Sequence, residues 1–81
     1  MSPEVLEMVG LAVESSEYLS PRQKQIVYDV CLGATNREIG EKLGISPNTV
    51  DVQLTRVFIK TGLEKRTQLL PFLMSQFHEE Y

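Results

Sequence analysis

The 81-residue sequence contains only one cysteine, Cys31, and only one histidine, His78. A single cysteine cannot form an internal disulfide, and one cysteine with one histidine supplies too few ligands for a zinc site made by the protein alone. His78 lies beside Glu79 and Glu80, so we expect it to be solvated rather than bound to a metal. The sequence predicts no metal and no cofactor.

A long apolar run is also missing. Glutamates interrupt the apolar residues of the N-terminal segment, and no basic stretch precedes it, so the sequence predicts neither a signal peptide nor a membrane span. No nucleophile is paired with a nearby base, and no glycine-rich phosphate loop or cluster of metal ligands is present. We expect a soluble, cytoplasmic domain that is not an enzyme.

Positive charge is in short supply for the chain as a whole, which carries 8 basic and 11 acidic residues and a net charge of −3. Its distribution is uneven, because all eight basic residues lie between Arg22 and Arg66. Residues 19–70 contain five acidic residues and therefore carry a net charge of +3, whereas the two flanks hold six glutamates. A basic centre is compatible with a nucleic-acid partner, although scattered charge more often belongs to a solvated surface.

No segment shows the sustained alternation of apolar and polar residues that is typical of a β-strand, so the predicted fold class is all-α. A serine followed by proline occurs three times, and this pair is typical of an N-cap and the first position of a helix. Glycine marks the predicted end of three helices. The first four predicted helices run from Pro3 to about Ser15, from the cap Ser20 to the stop Gly33, from the cap Thr35 or Asn36 to the stop Gly44, and from the cap Ser46 to the stop Gly62. A last helix is predicted to begin between Lys65 and Thr67.

Apolar spacing predicts which faces are buried. The first helix presents Val5, Met8, Val9, Ala12 and Val13, and the fourth presents Val50, Leu54, Val57 and Thr61. The opposite face of the fourth helix then holds Asn48, Asp51, Val52, Thr55, Arg56 and Ile59.

The third and fourth helices, joined by the turn LGIS, have the spacing of a helix-turn-helix, although a generic helical hairpin gives a similar pattern. In a helix-turn-helix the second helix reads base edges in the major groove of DNA. Asn48 and Arg56 carry suitable donors, and Thr55 can contact a thymine methyl group. Asp51 repels phosphates but can accept a hydrogen bond from cytosine.

Residues 19–70 resemble the LuxR-type (GerE-like) helix-turn-helix domain. The motifs that carry the resemblance are LSPRQ at the start of a helix, NREIG at 36–40, LGIS at 43–46, TV at 49–50 and KTGLEKRTQL at 60–69. The resemblance implies a four-helix domain, here preceded by an extra N-terminal helix, that binds double-stranded DNA and dimerises through its last helix. It divides the chain into a helical extension or linker, 1–18, and the DNA-binding domain, 19–81.

The resemblance also implies roles for individual residues. Those expected at base edges are Asp51, Val52, Thr55 and Arg56, with Asn48 on the same face; those expected at phosphates are Thr35, Arg37, Thr49, Lys60 and Lys65. The dimer contacts would be Leu70, Leu73, Met74 and Phe77. The sequence departs from the family, which usually has a basic residue where this chain has Asp51 and favours an acid where it has Gln23. The loss of a lysine at Asp51 bears on affinity and sequence choice, not on the fold.

Several alternatives follow from the same residues. Arg66 is either an ion-pair partner of Glu38 or a DNA contact, and Pro71 either delays or kinks the last helix. Cys31 is expected to be a buried thiol. The main functional hypothesis is a bacterial transcription regulator domain, with RNA polymerase as a further partner. The alternatives are a protein-interaction module on the same fold and promoter binding like that of sigma-factor region four.

Overall fold

The computed structural model describes residues 1–77 and consists of five α-helices and one 3₁₀ turn, which confirms the all-α prediction. The helices are α1 (Pro3–Glu14), α2 (Pro21–Cys31), α3 (Asn36–Leu43), α4 (Pro47–Thr61) and α5 (Leu69–Gln76), and the 3₁₀ turn spans Arg66–Gln68. His78, Glu79 and Glu80 lie outside the described residues. Within the described part of the chain, no helix has both the length and the apolar character needed to cross a membrane.

The predicted N-caps are present. Ser20 accepts a hydrogen bond from the Gln23 amide at 3.3 Å, and the Gln23 side chain accepts one from the Ser20 amide at 3.1 Å, which completes a capping box. Thr35, rather than Asn36, caps α3 and forms a second capping box with Glu38. These local bonds satisfy backbone donors that a helix leaves free at its start.

One hydrophobic core joins the helices, and α1 is part of it. The fully buried side chains are Val9, Val13, Ile26, Val27, Ile39, Val50, Leu54, Val57 and Leu69. The expected apolar face of α1 was too wide, because Val5 and Met8 are 43% and 40% exposed. The helix buries a narrower stripe against α2 and α5, formed by Val9, Ala12 and Val13, and the other two side chains lie at its solvent edge.

A tight turn fixes α3 against α4. The chain reverses at Gly44, whose φ of 70° lies in the left-handed region that glycine adopts without strain. Gly40, in α3, packs so close to the turn that a Cβ placed there would lie 2.5 Å from the Ile45 carbonyl oxygen. Ser46 then caps α4 by accepting a hydrogen bond from the Thr49 amide at 3.0 Å. The turn thus packs α4 against α3, and the outer face of α4 stays exposed.

Pro71 delays the start of the last α-helix. The chain forms a 3₁₀ turn first, and α5 begins at Leu69, so Pro71 falls in the first turn of α5, where its missing N–H removes no intrahelical bond. Leu69 and Leu73 are 1% and 2% exposed and belong to the core. Leu73 was expected at a dimer contact, but its burial in the core leaves it almost no accessible surface for one. The other expected dimer contacts, Leu70, Met74 and Phe77, are half-buried.

Arg66 does not form the ion pair with Glu38 that was one of its two expected roles. Its guanidinium donates hydrogen bonds to the Asn36 side-chain oxygen at 2.5 Å and to the Ala34 carbonyl oxygen at 2.8 Å. Glu38, the expected ion-pair partner, instead accepts the Thr35 amide within the α3 capping box, and those bonds lower the pKa of its carboxyl group. Arg66 thus fastens the segment after α4 to the start of α3.

Candidate nucleic-acid interface

The helix α4 is anchored along one side and open to solvent along the other. Val50, Leu54 and Val57 are at most 2% exposed and hold the helix against the core. Thr61, expected on the same buried face, is only half-buried and donates its hydroxyl hydrogen to the Val57 carbonyl oxygen at 2.9 Å. The expected outer face is exposed at every position: Asn48, Asp51, Val52, Thr55, Arg56 and Ile59.

Seven of the ten residues expected to contact DNA lie on α4, since only Thr35, Arg37 and Lys65 lie elsewhere. Thr35 and Arg37 stand at the start of α3, and Lys65 follows α4 in the turn before the 3₁₀ segment. All ten are exposed: Thr35, Arg37, Asn48, Thr49, Asp51, Val52, Thr55, Arg56, Lys60 and Lys65. The Arg66 hydrogen bonds to Ala34 and Asn36 bring the segment after α4 close to the start of α3.

Positive and negative charge lie on different sides of α4. At about 100° per residue, Asp51 and Lys60 are about 180° apart around the helix, and Asp51 and Arg56 about 140° apart. Neither basic residue is therefore an i, i+3 or i, i+4 neighbour of the aspartate. Within residues 1–77, the two ion pairs are Arg37–Glu41 and Lys42–Asp29, so the aspartate leaves the charges of Arg56 and Lys60 unpaired.

Three threonines of the expected site use their hydroxyl groups within the protein. Thr55 donates to the Asp51 carbonyl oxygen at 3.0 Å, so it offers a methyl group and acceptor lone pairs outward. The Thr49 hydroxyl is hydrogen-bonded to the Ser46 hydroxyl at 2.9 Å. The Thr35 hydroxyl oxygen accepts the Glu38 amide at 3.1 Å in the α3 cap. The donors that remain strongest on this surface belong to arginine and lysine.

Arg37 is the only one of the expected basic contacts that forms an ion pair within residues 1–77. Its guanidinium lies 3.5 Å from the Glu41 carboxylate, one turn along α3, and both side chains are largely exposed. An exposed i, i+4 pair of this kind contributes only about 0.3–0.5 kcal/mol, so a phosphate could displace it readily.

A buried amide connects the start of α2 to α4, a contact that no sequence pattern predicts. Gln23 is 4% exposed, and its side-chain oxygen accepts a hydrogen bond from the Lys60 ammonium group at 2.7 Å. Its side-chain nitrogen donates to the Gln53 side-chain oxygen at 3.2 Å. The capping-box spacing identified Gln23 only as a partner of Ser20, because local spacing carries no information about a residue 37 positions away.

The fold and the open face of α4 define a helix-turn-helix domain. The family model described as "Bacterial regulatory proteins, luxR family" matches residues 17–73, most of the chain. The chain therefore belongs to the luxR family and is a helix-turn-helix transcription regulator domain, a class that binds DNA.

Relatives support the same assignment. The chain is 40% identical over 52 residues to a protein of Mycobacterium tuberculosis named as an HTH-type transcriptional regulator, a match that covers 64% of this chain and 6% of that protein. It is 42% identical over 53 residues to the CsgBAC operon transcriptional regulatory protein of Escherichia coli, with 65% and 24% covered. It is 38% identical over 56 residues to the transcriptional regulatory protein TdiR of Thauera aromatica, with 69% and 25% covered. The matches thus span about a quarter or less of these relatives, and no solved structure matches the chain.

Proposed function

We propose that this domain binds double-stranded DNA by inserting α4 into the major groove. The observation that carries the proposal is the two-sided character of α4, in which Val50, Leu54 and Val57 are buried while Arg56 faces solvent on the opposite side. The major groove is about 12 Å wide and admits a helix with its side chains. A helix fixed by one face to a rigid core presents the other face to base edges without reorganisation.

The residues on this surface divide by chemistry. Arg56 suits guanine, because its guanidinium can donate two hydrogen bonds to the two acceptors of that base. Val52 and the Thr55 methyl group suit thymine methyl groups, while Asn48 suits adenine and Asp51 a cytosine amino group. Lys60, Lys65 and Arg37, together with the hydroxyl groups of Thr35 and Thr49, suit phosphates, which fix position rather than sequence.

We also propose that two copies bind two half-sites, paired through α5. Support comes from Leu70, Met74 and Phe77, which are apolar and only half-buried in the single chain. In this arrangement residues 19–81 form the DNA-binding part and residues 1–18 a helical extension. Transcription regulation in the bacterial cytoplasm, with RNA polymerase as a further partner at promoters, follows from the same proposal.

Titration of a fluorescent random-sequence duplex at several salt concentrations tests DNA binding. The expected result is a linear fall of log K with log salt concentration, with a slope of about −0.9 for each phosphate contact. Lys24→Gln is the control for the loss of one positive charge elsewhere on the protein. The Lys24 ammonium group donates to the Glu14 carbonyl oxygen of α1 and lies off the proposed surface, so this variant should bind duplex like the wild type. If the wild type binds no duplex at low salt, DNA binding is wrong and a protein partner becomes the better assignment.

A further inference from the structure

The Gln23 side chain forms three hydrogen bonds, two of which join α2 to α4. Its oxygen accepts from the Ser20 amide at 3.1 Å and from the Lys60 ammonium group at 2.7 Å, and its nitrogen donates to the Gln53 oxygen at 3.2 Å. The orientation of the amide is fixed, because two donors converge on one end and only an oxygen can accept from both. Gln53 and Lys60 are seven residues apart, so one amide contacts two points about two turns apart on the same side of α4.

The contact to Lys60 is the one that bears on DNA. A free lysine side chain samples many rotamers, and ordering it costs conformational entropy. Here a charge-assisted hydrogen bond from the ammonium group to a buried oxygen restricts it in advance. The ammonium group has three donors and gives one to Gln23, so two remain for a phosphate.

The neutrality of the amide matters as much as its position. A carboxylate at the same place would still accept from Ser20 and Lys60, but it would cancel the lysine charge near the proposed phosphate site. The amide oxygen holds the ammonium group without cancelling its charge. Since Asp51 already places a negative charge on the far side of α4, the charge of Lys60 is one of few on this helix that attract the phosphates of DNA.

We infer that Gln23 is a positioning residue for DNA binding, which holds the Lys60 ammonium group at the edge of α4 and leaves its charge available to a phosphate. This inference rests on the proposed function. It assigns to a buried residue, itself out of reach of DNA, part of the salt-dependent affinity of the surface.

The test compares Gln23→Glu, Lys60→Gln and the double variant in the duplex titration, with the fold of each variant checked by circular dichroism. Gln23→Glu is expected to lower the salt slope by about 0.9 and the affinity at 0.1 M salt by on the order of tenfold, as for one lost phosphate contact. In the Lys60→Gln background the same change should have little further effect. Equal weakening in both backgrounds would mean general repulsion by the new acid and would overturn the inference.

The outcomes separate the inference from the proposed function. Salt-dependent binding by the wild type with an unchanged slope in Gln23→Glu overturns the role of Gln23 alone, whereas no duplex binding by the wild type overturns both. The lysine ammonium signals in NMR of the free protein give a second measurement. We expect one slowly exchanging ammonium signal that disappears in Lys60→Gln and in Gln23→Met. If the wild type has no such signal, Gln23 does not hold Lys60, whatever the fate of the Gln23→Glu variant.

Discussion

The Ile45 amide donates a hydrogen bond to the Gly40 carbonyl oxygen at 3.0 Å, and the two residues pack so closely that no side chain fits between them. A Cβ on Gly40 would lie 2.5 Å from the Ile45 carbonyl oxygen and 3.3 Å from the Pro47 nitrogen. Both obstacles are backbone atoms, one in the turn before α4 and one in its first residue, so they cannot rotate away as a flexible side chain could. The angle between α3 and α4 therefore depends on the absence of a side chain at this position.

Gly40→Ala is expected to destabilise the domain by about 1–3 kcal/mol, the usual cost of overpacking. In an unobstructed helix the same change stabilises by up to about 1 kcal/mol. Gly10→Ala in α1 is the matched control, because its Cβ would meet Tyr28 at an ordinary 3.7 Å. Denaturant unfolding should therefore give shifts of opposite sign for the two variants. A stabilising effect at Gly40 would show that the turn is looser than this packing indicates.

The helices could be predicted because their caps and stops depend on residues close together in the sequence. Contacts between residues far apart in the sequence could not be predicted, because local spacing does not identify the partners. Ser20 and Gln23 are three residues apart, so the spacing alone predicts their capping box. The bonds from Gln23 to Lys60 and from Arg66 to Asn36 span 37 and 30 residues, and no local pattern selects those partners. The family resemblance suggests Glu38 as the partner of Arg66, but the Thr35 cap already engages its carboxylate.

The candidate site was predictable where it follows from helical periodicity. The apolar spacing of Val50, Leu54 and Val57 fixes the buried side of α4 and so the opposite open face. Periodicity fails at the ends of the chain, where the number of neighbouring helices decides burial. Val5 is exposed although its spacing fits the stripe of α1, and Leu73 is buried although it fits a surface seam equally well.

The Cys31 thiol is expected to react slowly. Burial raises its pKa from 9.0 to about 11, which lowers the thiolate fraction at pH 8 by about a hundredfold. Alkylation by iodoacetamide in the folded state should therefore be slower than in denaturant by on the order of a hundredfold, with Cys31→Ser as the unreactive control. Equal rates in the two states would mean that the thiol is open to solvent.

The same raised pKa sets the sign of a pH effect on stability. The unfolded thiol ionises near pH 9, whereas the folded thiol stays neutral until about pH 11. The unfolded state therefore loses its proton first, so the free energy of unfolding falls as the pH rises from about 9 to 11 and is unaffected by this group below that range. Denaturant unfolding of the wild type should show this fall, and Cys31→Ala should show less of it.

Association through α5 is testable with two neighbouring residues. Met74→Asp should abolish any concentration-dependent dimer in sedimentation while the helical content stays constant, because Met74 is only half-buried. Leu73→Asp should instead unfold the domain, since it places a charge at a core position that is 2% exposed. If the wild type sediments as a monomer at millimolar concentration, α5 does not dimerise in the free protein, and paired binding would need DNA.

Asp51 is expected to limit affinity for DNA of any sequence. Asp51→Lys removes one repulsion and adds one attraction, so it should tighten binding to random duplex and steepen the salt slope by about two contacts. Asp51→Asn, which removes only the negative charge, should give about half of that change. Both variants should fold normally, because the Asp51 side chain is exposed and Thr55 bonds only its backbone carbonyl. An unchanged slope in both would place Asp51 away from DNA.

Arg56 and Lys60 should differ in kind when each is replaced by alanine. A good arginine–guanine pair discriminates between bases by about 1–3 kcal/mol, so Arg56→Ala should weaken a cognate site by on the order of ten- to a hundredfold and relax preference at one base pair. Lys60→Ala should weaken all sequences about equally and lower the salt slope by about one, as the loss of a phosphate contact does. Selection of a cognate site from a random duplex library, followed by titration of both variants, measures the contrast.

The physical basis of that contrast is the position of each side chain on α4. Arg56 belongs to the open face, and within residues 1–77 no ion pair neutralises it, whereas Lys60 is drawn to the edge by Gln23. We expect a donor on the open face to reach base edges, and a donor held beside α2 to reach the DNA backbone. If both variants lose only sequence-independent affinity, Arg56 also holds a phosphate, and sequence is read by other residues or through DNA shape. If neither variant changes binding while both stay folded, α4 is not the DNA-reading helix.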